Sequence, residues 1–470
     1  MGLVRLRKIL PLAFLFAMPL LSAQADDPAA AEERKRKVEA AKKVLADDKA
    51  DFEKRVNEAI DRGVGWLRTQ QRTTGNFPSF QEHLPPNTYD PIDVGLNALV
   101  LLTLAKSGVP SDDKAVQKVK SWCLSDYLII KKMKKMMVYS ASTLLMALDA
   151  VDNPQAKEES DVKRDRYGGT TVTSKKTPCK YPAADQAIVE ELAKFLRESQ
   201  VTKIGGWRYP GNDIGSIPGE VDLSNTQYAL FGLNAAARCG VSVPLDLLQR
   251  TLEYVIREQE KDGMPAELFI ENPAWEPGFD DPPKFLSAGK RKARGWTYLP
   301  GGKEAPTGSM TCAALACLAI IKERLGEAQK LTPEQSHRID TAMLDGFAWL
   351  ADAFTVTDNP VVPAAQAMWH YYYLYGLERV GSLTGVRYHG KNAWYRLGAE
   401  HIIGAQEKNG GWKVAVQANR PKDTADSAIV QTCFALLFLR RATTPPTVPV
   451  TPPVLTGGGE EAPADNRGGR

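Results

Sequence analysis

The sequence predicts an all-α protein, an α/α toroid of about six helix pairs with an inner and an outer helical layer. The clearest pair lies between Gly398 and Leu439, which reads GAEHIIGAQEKNGGW and then DTADSAIVQTCFALLFL. The first helix has one polar face, whereas the second is apolar on nearly every side. Because a helix that is apolar all round must be buried on both sides, the doublet predicts an outer helix against water and an inner helix beneath it.

The same doublet occurs earlier in the chain, and this repetition is the second observation that predicts the toroid. Three of the earlier copies are distinct and two are weaker, and each is followed by an apolar helix. They begin with GWLRTQQRTTGNF (65–77), KFLRESQVTKIGGW (194–207), LLQRTLEYVIREQEKDG (247–263), VQKVKSWCL (116–124) and AMLDGFAWLADAF (342–354). About six stacked pairs is the number that closes a layered ring of this kind.

Glutamine and an aromatic residue take matching places in three of the copies. These places are Gln200 to Trp207, Gln406 to Trp412 and, more weakly, Gln70 to Phe77. Over residues 55–443 the chain resembles the QW repeats of squalene cyclases and the related prenyltransferase repeats. The resemblance implies that each glutamine and its aromatic partner tie one outer helix to the next, while glycine permits the tight turn between them.

Residues 1–25 have the form of a signal peptide. A basic start with three cations is followed by a short apolar run and then by Ala-Gln-Ala, which is a small-x-small cleavage site. We therefore expect an exported protein of the periplasm or the extracellular space, with no transmembrane segment after cleavage. The other predicted boundaries are 26–57 for a charged helical lead-in, 58–443 for the toroid and 444–470 for a disordered Pro/Gly-rich tail.

Charge and composition exclude several kinds of partner. The chain has 60 basic and 56 acidic residues, and the signal peptide holds three of the basic ones, so the mature protein is nearly neutral and we expect no nucleic-acid partner. The five histidines show no metal-binding spacing, and no phosphate loop or nucleophile elbow occurs. We expect neither a metal nor a cofactor. Five of the six cysteines lie in apolar helical stretches, where free thiols behave as small core side chains.

Two insertions interrupt the helix pairs, at residues 153–182 and 263–306. The second is rich in proline and glycine and is longer than ordinary connections. Loops of this length in a compact domain are usually functional or disordered, and we expect one or the other here.

Acidic residues stand at the starts of predicted inner helices. Asp222, Asp423 and Asp426 are candidate catalytic acids, because the inner helices of a toroid run parallel and their N-termini open at one mouth. The alternative is helix capping, which contributes about 1 kcal/mol per cap and explains most acids at such positions. The catalytic interpretation depends on whether the fold brings these carboxylates together.

The fifth inner helix carries the candidate substrate-binding residues Trp369, His370, Tyr372 and Tyr373. Its sequence, AAQAMWHYYYLYGLERVG, places Tyr375 on another face than Tyr372. Aromatic faces in a dry cavity stabilise a carbocation, which is how cyclases of the resembled family use them. The alternative is that a helix buried on both sides needs bulky side chains, with His370 a hydrogen-bonded core residue.

The catalytic motifs of the resembled families are absent. The chain has no Asp-x-Asp-Asp or Asp-Cys-Thr-Ala motif of the cyclases, and no Asp-x-Cys of the zinc-dependent protein prenyltransferases. Three hypotheses therefore stay open. The toroid binds or modifies an isoprenoid-type apolar small molecule in a central cavity; it is a non-catalytic binding or scaffold toroid; or it is a polysaccharide hydrolase or lyase with two carboxylates across a cleft. If it is an enzyme, the resemblance implies a cyclase-like isomerase or lyase.

Overall fold

A computed structural model provides the structure of the chain. It describes residues 28–78, 90–133, 135–153, 161–164, 170–173, 181–209, 221–238, 240–272, 284–301, 304–361, 369–413 and 425–443. The predicted signal peptide and C-terminal tail lie outside these residues. The described residues form two units, of which residues 28–51 are one and the remainder the other. The first is the beginning of a long helix, and the second holds the rest of that helix and every other described element.

The described residues contain twelve α-helices and only four short strands, so the chain is mostly helical and the predicted all-α class is confirmed. The six predicted pairs correspond to successive helices, from α1 and α2 to α11 and α12. The helices are α1 (Pro28–Gln70), α2 (Pro91–Lys106), α3 (Lys114–Lys132), α4 (Val138–Asp152), α5 (Ala183–Glu198), α6 (Leu223–Arg238), α7 (Leu245–Arg257), α8 (Gly308–Glu327), α9 (Pro333–Asp352), α10 (His370–Thr384), α11 (Trp394–Ala405) and α12 (Ala425–Leu439). The strands are β1 (Asp161–Arg164), β2 (Thr170–Thr173), β3 (Met264–Glu271) and β4 (Phe285–Ala293).

The even-numbered helices form a closed inner ring. α2 packs on α4, α4 on α6, α6 on α8, α8 on α10 and α10 on α12, and α12 returns to α2. The odd-numbered helices lie outside this ring, with α5 between α4 and α6, α9 against α8, and α11 between α10 and α12. Burial follows the predicted asymmetry, since α7 buries one apolar face whereas α8 is buried over almost its whole length. This arrangement is the predicted α/α toroid.

The inner helices run parallel, so matching ends meet around the ring. Near the helix starts, the Ser140 hydroxyl of α4 donates a hydrogen bond to the Pro91 carbonyl of α2. Near the helix ends, Asp149 of α4 forms an ion pair with Arg238 of α6. The N-termini therefore share one mouth of the ring and the C-termini the other.

Glutamines at the ends of outer helices join each of these helices to the next one. Gln200, which follows α5, donates to the Leu247 carbonyl of α7 and to the Gly205 carbonyl in its own turn, both at 3.1 Å. Three other glutamines each make the same pair of bonds, at 2.8 to 3.1 Å. They are Gln71 (to Ala115 and Gly75), Gln259 (to Ala342 and Arg294) and Gln406 (to Ala59 and Gly410). We call these four contacts the glutamine ties.

A fully buried aromatic residue follows each glutamine tie. The indoles of Trp207, Trp296 and Trp412 donate their N–H to a carbonyl of the outer helix that precedes them, each at 2.7 Å, and Phe77 takes the equivalent place after α1. The turn itself needs glycine at Gly205, where φ is +100° and an added Cβ would lie 2.2 Å from a backbone oxygen of α7.

The sequence-based assignment of these ties needs two corrections. Gln70 does not make the first tie: its side-chain amide bonds the neighbouring Thr69, and Gln71 reaches α3 instead. The copy at residues 247–263 was predicted, but its tie from Gln259 to Trp296 was not identified, because a β-hairpin lies between the two residues in the sequence.

Both insertions contain antiparallel hairpins, β1 with β2 and β3 with β4. The second hairpin packs against α9, and its Glu271 forms an ion pair with Arg387 after α10. The described part of residues 263–306 therefore contains a hairpin with regular strands, and a functional role for this insertion stays a prediction. Within the described residues no helix is long and apolar enough to cross a membrane. Four cysteines are buried free thiols, namely Cys123, Cys312, Cys317 and Cys433.

The glutamine ties give a first prediction, because adjacent glutamines differ in what they join. Gln71→Ala should lower the free energy of unfolding by about 1–2 kcal/mol, since the turn carbonyl of Gly75 and the first-turn carbonyl of Ala115 lose a donor. Gln70→Ala is the matched control and should change it by less than about 0.5 kcal/mol. Urea unfolding followed by circular dichroism measures both. Equal effects of the two substitutions would show that the tie contributes nothing specific.

Candidate functional site

A chain of hydrogen bonds crosses the lumen of the inner ring near its N-terminal mouth. The Tyr139 hydroxyl on α4 bonds the Ser224 hydroxyl on α6, and Ser224 bonds the Tyr372 hydroxyl on α10 at 2.6 Å. Gln227 of α6 donates its amide N–H to the same tyrosine oxygen. Because α4 and α10 are opposite members of a ring of six, these bonds reach from one side of the lumen to the other.

Aromatic rings fill the space around this chain. The ring of Tyr228 lies 4.6 Å from that of Tyr139 and stacks on Tyr372 at 6.4 Å, measured between centroids. Phe434 of α12 lies 5.7 Å from Tyr372 and 5.8 Å from Tyr375. We call the whole set the lumen floor: Tyr139, Ser224, Gln227, Tyr228, Tyr372, Tyr375 and Phe434. It joins four of the six inner helices.

A buried cation lies one turn deeper. Arg379 of α10 is 2% exposed, and its guanidinium carbon is 4.0 Å from the ring centroid of Tyr375, 4.4 Å from Phe231 and 4.8 Å from Tyr228. Its hydrogen bonds are long, 3.4 Å to Gln227 and 3.3 Å to the Tyr228 hydroxyl, and its Nε has no partner. The three ring faces are thus already occupied by a positive charge, which disfavours a carbocation beside them.

Asp222 lies at the mouth above the floor, directly before α6. Its Oδ1 accepts the backbone N–H of Asn225 and its Oδ2 accepts the side-chain N–H of the same residue, both at 2.7 Å. The carboxyl is 2% exposed, and Tyr298 also hydrogen-bonds it. Burial raises the pKa of Asp222 to about 6, although the bonds from Asn225 and Tyr298 act in the opposite direction. Asp222 is therefore a helix cap and also a proton-binding group near neutral pH.

The other two predicted acids cannot be placed beside Asp222. Asp423 lies outside the described residues, and for Asp426 only its position in the first turn of α12 is described. Two tyrosines connect Asp222 to the floor, since Tyr298 hydrogen-bonds Asp222 and Tyr209 hydrogen-bonds both Tyr298 and Tyr139. Its pairing with a second acid across the mouth stays a prediction.

The predicted substrate-binding residues separate into two groups. Tyr372 belongs to the lumen floor, and Trp369 forms the rim above it, 46% exposed with its ring 5.9 Å from that of Tyr372. Tyr373 and His370 are turned away, because the Tyr373 hydroxyl donates to the Thr355 carbonyl at 3.1 Å and the His370 Nε2 lies 2.9 Å from the Val356 carbonyl.

Tyr375 was assigned to the wrong face by sequence reasoning. Tyr375 belongs to the lumen floor, where its ring lies against Phe434 and covers the Arg379 guanidinium. Tyr375 and Arg379 follow Tyr372 by three and seven residues, a spacing that places all three on one helix face. Tyr139, Tyr228 and Arg379 were not predicted at all. Arg379 could have been identified as a charged residue within a helix predicted to be buried, because a buried charge must be stabilised by hydrogen bonds or other neighbours.

No cluster of three or more histidine, cysteine or acidic side chains within the described residues could hold a metal ion. The buried His389 has no partner on either ring nitrogen, and burial lowers its pKa to about 4. It lies between Phe347 and Phe354 rather than beside other ligands. This imidazole is a neutral core side chain.

Comparisons with known proteins give structural neighbours only. No protein-family model and no curated protein matches the chain. Among solved structures, it is similar to an inactive variant of the alpha-1,6-mannanase GH76A of Salegentibacter in complex with alpha-1,6-mannotetrose, with 8% identity, a TM-score of 0.48, and 82% of this chain and 98% of that chain covered.

Two further neighbours have other activities. The type II terpene cyclase MstE of Scytonema has 11% identity and a TM-score of 0.40, with 83% of this chain and 99% of that one covered. A possible GH105 family member of Salmonella enterica has 12% identity and a TM-score of 0.44, with 82% and 93% covered. Similarity at this level gives no information on activity. The toroid assignment depends on the closed ring of helix contacts within this chain.

The raised pKa of Asp222 gives a second prediction. Its folded-state pKa exceeds the unfolded value, so its contribution to stability is complete below about pH 4 and is lost as pH rises through about 6. Asp222→Asn keeps a good helix cap and cannot ionise, so it avoids this loss. Its unfolding free energy relative to wild type should therefore be about 2 kcal/mol higher at pH 7 than at pH 4. Urea unfolding of both proteins from pH 4 to 8 measures the difference. An unchanged pH profile would mean that Asp222 ionises normally.

Proposed function

We propose that this chain is an exported, non-catalytic toroid that binds a small-molecule ligand at the N-terminal mouth of its inner ring. One observation carries the proposal: the lumen floor crosses the ring from Tyr139 to Tyr372, with a guanidinium beneath it. A cyclisation cavity needs several hundred cubic ångströms of apolar space and free aromatic faces. In this toroid, side chains of the lumen floor fill the space between the first turns of the inner helices. The aromatic faces deeper in the lumen pack against the Arg379 guanidinium.

The mouth has the chemistry of a shallow binding surface. Trp369 offers an exposed ring, and Tyr209 and Tyr298 offer half-buried hydroxyls that bond each other beside Asp222. An aromatic face with nearby hydroxyls binds a ligand that has both an apolar face and polar groups. An isoprenoid-type ligand, which the QW-like repeats imply, would lie across Trp369 and the edge of Tyr372.

Kinship with the squalene-cyclase and prenyltransferase repeats is part of the same proposal. The four glutamine ties support it, because they join neighbouring outer helices as the resemblance implies. Export is also part of the proposal, and it depends on the signal-peptide pattern of residues 1–25.

A second candidate function is acid catalysis by Asp222, in a cyclase or a polysaccharide hydrolase. The observation that favours it is a buried carboxyl with a pKa of about 6, which can donate a proton near neutral pH. A hydrolase also needs a second carboxylate at about 5 to 9 Å, for which Asp423 and Asp426 are the candidates.

Mass spectrometry of extracts from gently purified protein tests the proposal. We expect a specifically enriched small molecule in the wild-type extract and its loss from Trp369→Ala, because the exposed indole ring offers a large apolar contact at the mouth. Leu128→Ala is the matched control, since Leu128 is also 46% exposed but lies on the outer helix α3. The control should retain the molecule.

Incubation of the recovered molecule with fresh protein separates binding from catalysis. We expect the molecule to stay chemically unchanged over hours, and Asp222→Asn to bind it with unchanged affinity. Conversion into a product that Asp222→Asn abolishes would overturn the non-catalytic proposal in favour of acid catalysis.

A further inference from the structure

The C-terminal end of the inner ring encloses a small cavity, far from the mouth. Its volume is about 40 Å³, and helices α2, α4, α6 and α10 all contribute to its walls. A cleft of about 700 Å³ adjoins it and shares Lys106, Ala442 and Thr443 as lining residues. The cavity is large enough for a few waters or for one small ion, and the cleft gives it access to solvent.

Three nitrogen donors line this cavity. Lys106 ends α2, Arg238 ends α6, and Asn234 lies one turn before Arg238. The Asn234 Oδ1 accepts a hydrogen bond from Arg324 at 2.7 Å, so its NH₂ group is on the opposite side of the amide. Lysine, arginine and an amide N–H are the donors that proteins use for oxyanions.

One acid, Asp149, lines the cavity itself and a second, Glu378, lies near it, and both are already engaged. Asp149 pairs with Arg238, and the Glu378 carboxylate accepts hydrogen bonds from Ser382 at 2.8 Å and from the Thr443 hydroxyl at 2.7 Å. Burial raises the pKa of Glu378, although the hydrogen bonds from Thr443 and Ser382 act in the opposite direction. Arg440, Arg441 and Asp112 line the adjoining cleft, so, among the described residues, four cations lie around the cavity and the cleft against three acids.

Arg379 adds to this excess from the other side of the cavity wall. Phe231 and Tyr375 line the cavity, and the same two rings cover the Arg379 guanidinium at 4.4 and 4.0 Å. The Arg379 Nε has no hydrogen-bond partner. The guanidinium is covered mainly by aromatic faces, so its positive potential extends through low-dielectric surroundings towards the cavity.

We propose that this cavity binds a small oxyanion, either an inorganic tetrahedral anion or the carboxylate of an organic acid, with Lys106, Arg238 and Asn234 as its donors. Cations at helix C-termini often only offset the helix dipole. Here, however, the lysine lies at an internal cavity with a solvent-connected cleft, and burial, followed by the charge of Arg238, lowers its pKa to about 8. An anion in the cavity would restore the charged amine.

Isothermal titration calorimetry with sulfate and, separately, acetate at constant ionic strength tests this proposal. Neither probe changes its own charge between pH 7 and 9.5. We expect saturable binding of at least one probe, with proton uptake near pH 8 and falling affinity at higher pH, because the bound anion raises the pKa of Lys106. Binding of sulfate alone identifies a tetrahedral anion, and binding of acetate alone identifies a carboxylate.

Two lysine variants distinguish a specific site from general charge attraction. Lys106→Met should weaken binding at least about tenfold and abolish the proton uptake, because one charge-assisted hydrogen bond is lost. The variant should stay folded, since it removes a buried charge rather than a packed side chain. Lys194→Met, on the outer helix α5, is the control and should behave as wild type. No saturable binding, or equal binding by both variants, would overturn the proposal without affecting the proposed role of the mouth.

Discussion

A closed ring of six parallel helices leaves a space along its axis that the helix backbones cannot fill. The structure depends on the side chains that occupy this space. Each inner helix packs on two ring neighbours and on the outer layer, so its remaining face must meet other side chains or water. Near the N-terminal mouth the space is filled by the lumen floor, whose hydrogen bonds join opposite helices. Four turns of the outer layer, each with a glutamine tie and a buried aromatic residue, join neighbouring outer helices around it.

Filling the axis with polar and charged groups has chemical consequences that a hydrocarbon core would not have. Arg379 is held mainly by aromatic faces, Asp222 binds a proton near neutral pH, and the Lys106 amine is partly desolvated. Buried charges of this kind stabilise less than packed apolar side chains do. Their positions, one at the mouth, one below the floor and one at the opposite end, give the toroid two chemically different ends, each suited to a different kind of ligand.

The repeating pattern of the sequence predicted the toroid because helix amphipathicity is a local property, visible in every doublet. It predicted Trp207 and Trp412 for the same reason, whereas Trp296 was missed because the hairpin separates it from Gln259. The floor was only partly predictable. Tyr372 was identified from its own helix, but its partners Tyr139 and Ser224 come from helices 148 and more residues away, a proximity that only the closed ring creates. Tyr373 and His370 share the local signal of Tyr372 and yet face the segment after α9, because one residue along a helix rotates a side chain by about 100°.

A double-mutant cycle between Tyr139 and Tyr372 tests the central claim most directly. Both hydroxyls bond Ser224, although the two tyrosines belong to opposite helices of the ring. We expect the unfolding free energies of Tyr139→Phe, Tyr372→Phe and the double variant to show a coupling energy of about 0.5 to 2 kcal/mol. Additive effects, within about 0.3 kcal/mol, would contradict a lumen that is bridged from side to side.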